Sequence, residues 1–138
     1  MTSRRSFMQA VVTAICAAPF VARLSVAAQQ LPARTNNSDG VRVVVTPKAT
    51  AAGSEWEFEV VMDTHIKPLD TDLTRAAVLI DDHGRRYQPL AWQGDAPGGH
   101  HRKGTLRFPT PAEPIKDFRV QIESVGGATM RVFEWTIN

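Results

Sequence analysis

The chain has 138 residues, with 16 Lys and Arg against 14 Asp and Glu, a formal net charge of +2, one cysteine and 43% hydrophobic residues. That length suits a single packed domain. The near-balanced charge lacks the basic face that nucleic-acid binding needs, and a lone cysteine excludes a disulfide framework.

Ser3-Arg4-Arg5-Ser6-Phe7 resembles a twin-arginine export signature. Met8 to Val21 follows as an apolar stretch too short and alanine-rich for an assured membrane span, and small residues at Ser25 to Ala28 suit cleavage. Residues 1–28 are therefore expected to be an export signal, leaving a periplasmic or extracellular chain with no membrane span. Arg4, Arg5 and Arg23 depart with it and no acidic residue does, which takes the net charge from +2 to −1. Cys16 departs as well, so the exported part carries no thiol.

Residues 29–40 are polar and rich in turn formers, and are expected to form a flexible tether. From residue 41 the pattern is one of short strands. Val41 to Thr46 is β-branched and ends at Pro47. In Glu55 to Met62, Trp56, Phe58, Val60 and Met62 alternate with Glu55, Glu57, Glu59 and Val61 at period two, the mark of a half-buried strand. Asp70 or Asp72 is placed to cap a short helical turn. Ala76 to Asp81 and Arg86 to Gln93 flank a glycine-containing connection and predict a hairpin. Gly104 to Pro109, Phe118 to Ser124 and Arg131 to Ile137 complete seven predicted strands. Seven short strands without a long helix predict an all-β, antiparallel, immunoglobulin-like sandwich over residues 41–138, with Trp56, Trp92 and Trp135 as core.

The phrases V-x-V-V-V-T-P, W-E-F-E-V-V-M-D-T-H with L-D-T-D-L, D-D-x-G-x-x-Y-x-P-L-x-W-x-G, G-G-H-H-R-x-G-x-L-x-F and R-V-F-E-W span nearly all of residues 41–138. They resemble a family of small exported bacterial and archaeal immunoglobulin-like domains, and the resemblance implies a fold and no activity. A looser similarity joins Gly99-His100, Gly104 and Phe108 to periplasmic copper-resistance sandwiches. The chain departs from those in having Ala28, Gln29 and Gln30 where they carry an N-terminal histidine, and in continuing for two more strands.

No nucleophile elbow, phosphate loop, dinucleotide fingerprint or zinc-protease helix occurs, and the carboxylate pairs Asp70/Asp72 and Asp81/Asp82 lie where turn capping is their ordinary work. An enzyme is not expected. The segment from Trp92 to Phe108 stands out, because Gly98 and Gly99 release the backbone just before His100 and His101. Arg102 and Lys103 beside them would favour the neutral imidazole that metals need. Two functions are compatible with this loop. One is an exported, non-catalytic binding module whose partner is another envelope protein, met through a sheet edge or a loop end. The other is a copper or zinc site built from His65, His100 and His101 with Asp63.

Overall fold

The computed structural model describes residues 29–112, 114–128 and 130–138; the predicted export signal lies outside them. Nine strands form two antiparallel sheets. The strands are β1 (Arg34–Ser38), β2 (Val41–Ala49), β3 (Trp56–Thr64), β4 (Ala77–Asp81), β5 (Arg86–Tyr87), β6 (Ala91–Gly94), β7 (His101–Phe108), β8 (Asp117–Glu123) and β9 (Met130–Thr136). A single helical turn, α1 (Leu73–Ala76), precedes β4, and Asp72 is its N-cap, accepting the Thr74 N–H.

One sheet has the order β1-β2-β3-β7-β6 and the other β5-β4-β8-β9. With β1 set aside, this is the immunoglobulin-type ABED sheet facing C′CFG. Period-two alternation builds the interior: Val41, Val43, Val45, Phe58, Val60, Leu106 and Phe108 from one sheet meet Leu79, Val120, Ile122 and Phe133 from the other. Trp56, Phe118, Phe58 and Trp135 form an aromatic cluster, with Trp56 and Phe118 centroids 4.9 Å apart in an edge-on contact.

Four differences from the sequence reading have physical causes. Residues 29–40 are not a tether: β1 pairs with β2 from Arg34↔Val45 to Ser38↔Val41, and Leu31 is buried. The hairpin closes through Asp39 and Gly40, both at positive φ, 50° and 73°, the backbone a two-residue connection between twisted strands requires. Arg86 to Gln93 is not one strand. Pro89, which has no N–H to give a ladder, separates β5 in one sheet from β6 in the other. Pro47 does not end β2. It pairs with Phe58 beside a bulge, and its nitrogen points to the side where β1 has already ended, so no ladder bond is lost. Trp92, expected in the core, sits half-buried at the rim of the sandwich.

Candidate functional site

Four connections meet at one end of the sandwich: the β1–β2 turn, the segment from β3 to α1, the β6–β7 loop and the 3₁₀ turn Val125–Gly127 after β8. Thr64 joins them at its centre. Its backbone N–H donates to the His100 carbonyl at 2.9 Å, and its hydroxyl donates to the Gly40 carbonyl at 3.0 Å and accepts the Ile66 N–H at 3.2 Å. Leu69 and the glycine loop exchange a further pair of bonds, Leu69 N–H to Gly99 O at 3.0 Å and Gly98 N–H to Leu69 O at 2.8 Å. Gly98 and Gly99 hold φ values of 117° and 69°, which side-chain-bearing residues resist. Lys67 Nζ reaches Gly126 O at 2.6 Å and the Thr71 hydroxyl reaches Ser124 O at 2.9 Å, tying in the last connection.

Beneath this end lie two buried arginines, Arg102 at 1% exposure and Arg131 at 0%. Arg102 donates to Thr71 O at 2.6 Å, Asp95 O at 3.2 Å and Leu69 O at 3.4 Å, and its guanidinium lies 5.1 Å from the Trp92 ring centroid. Arg131 donates to Asn36 Oδ1, Ser38 O, Val125 O and Val41 O at 2.6 to 3.2 Å. Each guanidinium therefore clamps two connections through their carbonyls. Burial pulls both below the ordinary arginine value, opposed for Arg102 by Asp72 and Asp95 and for Arg131 by Asp39. Both stay charged at neutral pH.

The chain matches no family model, no curated protein and no solved structure.

The structure brings some of the predicted site residues together and separates others. Asp63 and His101 are direct cross-strand partners, with His101 Nδ1 2.5 Å from Asp63 Oδ1 and Arg42 3.8 Å from the other carboxylate oxygen. His101 thus opens β7, beside the glycine turn. His65 and His100 are exposed on adjoining backbone, and among the described residues their imidazoles make no hydrogen bond. The expected four-residue metal set does not assemble. Among the described residues, the one set of three His, Cys or acidic residues with ligand atoms within 4.8 Å is Asp81, Asp82 and His83, at the opposite end. Nor does Arg102 flank the imidazoles. It belongs to the inward set of β7 with Gly104, Leu106 and Phe108, because alternate strand residues face opposite ways.

The Asp81, Asp82 and His83 set is occupied with structural work. Asp81, 2% exposed, accepts from the His83 and Arg85 N–H groups, Arg85 Nε and the Tyr87 hydroxyl, each at 2.9 Å. Burial pushes its carboxyl up, but the bonds from Arg85, Tyr87 and His83 together outweigh this and hold it below the ordinary value. Asp82 takes His83 Nδ1 on one oxygen and the Lys116 N–H on the other, both at 2.9 Å.

Proposed function

We propose that this chain is an exported, non-catalytic binding module of the cell envelope that meets a partner protein through the loop end carrying His65, Ile66 and His100. The observation that supports this reading is the clamping of surface loops by Arg102 and Arg131. Burying a guanidinium is costly, and here two of them hold connections whose outermost side chains have no internal task. Ile66 is 68% exposed, and among the described residues the exposed imidazoles of His65 and His100 make no hydrogen bond. A loop surface fixed before contact loses less entropy when a partner arrives. Of the paired carboxylates, Asp72 is committed to capping α1 and Asp81 to the turn before β5.

The test is a photo-crosslinking amino acid placed at Ile66 or His100, compared with one at Lys48 on the far end, in cells expressing the protein. A discrete partner adduct from the loop positions alone, lost when Arg102→Leu loosens the loops, is the expected result. Equal labelling from Lys48 would overturn it. Replacing Arg4 and Arg5 by lysine should block export, and unchanged envelope yield would remove the twin-arginine route. The copper or zinc reading retains one observation in its favour, the exposure of His65 and His100 on adjoining backbone. Stoichiometric metal binding abolished by His65→Ala and His100→Ala would install it in place of the partner-protein reading.

A further inference from the structure

The edges of the two sheets are treated differently. β1, β5 and β9 carry charged residues at Arg34, Arg86, Arg131 and Glu134, and β5 is only two residues long. The β1 and β9 edges also face each other, joined where Arg34 Nε donates to Glu134 O at 3.0 Å. Charge, shortness and covering are the usual protections against edge-to-edge pairing. β6, Ala91-Trp92-Gln93-Gly94, lacks any charge and ends the five-stranded sheet.

Its backbone polarity follows from the ladder. Asp95 N–H donates to Lys103 O at 2.9 Å in the register that pairs Gln93 with Thr105 and Ala91 with Arg107. The odd-numbered residues therefore bond to β7, and Trp92 and Gly94 turn their N–H and C=O groups to the open side. The strand is held firmly for this. A Cβ on Gly94 would lie 2.4 Å from the Gly104 Cα, and one on Gly104 would lie 2.6 Å from the Trp92 ring, so the paired glycines let β6 press against β7 under its own tryptophan.

We infer that β6 is a self-association edge, pairing antiparallel with β6 of a second copy about a twofold axis at Gln93. The self-complementarity argues for that occupant. In this register Trp92 lies opposite the partner's Gly94 and Gly94 opposite the partner's Trp92, so outward donors meet outward acceptors, while each Trp92 ring stays over its own Gly104. Gln93 falls opposite the partner's Gln93, and its exposed amide, donor and acceptor in one group, can bond its own copy. No like charges are brought into contact by the strand itself. The product is one continuous sheet through both copies, with the two loop ends at opposite poles because the strands run antiparallel.

The experiment is sedimentation of the purified protein over a concentration series, for wild type, Gln93→Lys, Gln93→Glu and an equimolar mixture of the two variants. Like charges directly across a strand pair repel, so each variant alone should weaken the dimer by roughly tenfold or more, and the mixture should restore it. Unchanged denaturation midpoints will show that the exposed substitutions leave the fold intact. A wild type that stays monomeric up to about millimolar concentration, or a dimer that neither Gln93 variant weakens, overturns the proposal. A dimer dissociated by Ile66→Asp and untouched at Gln93 would overturn it as well, placing the contact at the loop end.

Discussion

Asp63 and His101 face each other across the β3–β7 ladder, with the His101 Nδ1 2.5 Å from the carboxylate. The pair closes the end of a charged outer face on which Lys103 also reaches Glu59 at 3.3 Å and Arg107 bonds Glu55. His101 is thereby a cross-strand partner, and its Nδ1 is already taken by Asp63. Both side chains are well exposed, at 62% and 39%, so His101→Ala should cost no more than about 1 kcal/mol in denaturant unfolding. It should also leave any zinc or copper affinity unchanged, and a loss of affinity in calorimetric titration would return His101 to a metal role.

Arg102 carries a far larger burden. Truncation to leucine removes the donors for the Leu69, Thr71 and Asp95 carbonyls, and should destabilise the protein by about 2–4 kcal/mol. Hydrogen exchange should rise first in residues 64–72 and 95–100, with the aromatic core still protected. Uniform loss of protection would mean that Arg102 supports the whole sandwich and does not act on the loops in particular.

Asp81 predicts an acid-dependent term. Its folded carboxyl is held below the ordinary value of 3.8, so its stabilisation is present at neutral pH and is lost as pH falls below that value and through the folded one. Asp81→Asn should therefore cost about 2–4 kcal/mol near pH 6, with the gap to wild type narrowing towards pH 2.5. A gap constant across that range would show that packing, and not the charge, accounts for the residue.

The glycines make separable predictions. Gly99→Val should strain a left-handed backbone by about 1–3 kcal/mol, and partner contact at the loop end should fall by more than stability alone explains. Gly104→Ala should destabilise by a similar amount of about 1–3 kcal/mol through its clash with Trp92 and the Gln93 carbonyl. It should also weaken the β6 edge without moving the histidine loops, which chemical-shift mapping can distinguish.

In the core, Trp56 is 3% exposed and packs edge-on against Phe118. Trp56→Ala should cost about 3–5 kcal/mol, and a cost under about 1 kcal/mol would place the residue outside the packed interior.

The core was readable because Phe58, Val60 and Met62 alternate with acidic neighbours, and the same rhythm carries β8 and β9. β1 was not, since Arg34-Thr35-Asn36-Asn37-Ser38 has no apolar residue. Its strand state is imposed from outside, by β2 on one edge and by Arg131 bonding Asn36 and the Ser38 carbonyl. The two clamping arginines were missed because charge reads as surface. A signal existed: Arg131 continues the inward series of Phe133 and Trp135, and Arg102 that of Leu106 and Phe108. A charged residue in step with an apolar series is placed to go inside, where backbone carbonyls at the ends of connections can receive it. The glycine loop was legible from composition. The destination of each imidazole depended on the β3–β7 register, which no local pattern specifies.

The Trp135 indole donates to Pro32 O at 2.7 Å, and the Asn138 N–H to the Gln29 side chain at 3.2 Å. Both the first and the last described residues thus leave the sandwich at the pole away from His65 and His100. A fluorescent reporter or a solid support attached beyond Asn138 will therefore leave the histidine loops facing open solvent. The same tag threaded between Gly98 and Gly99 would stand directly in front of those loops.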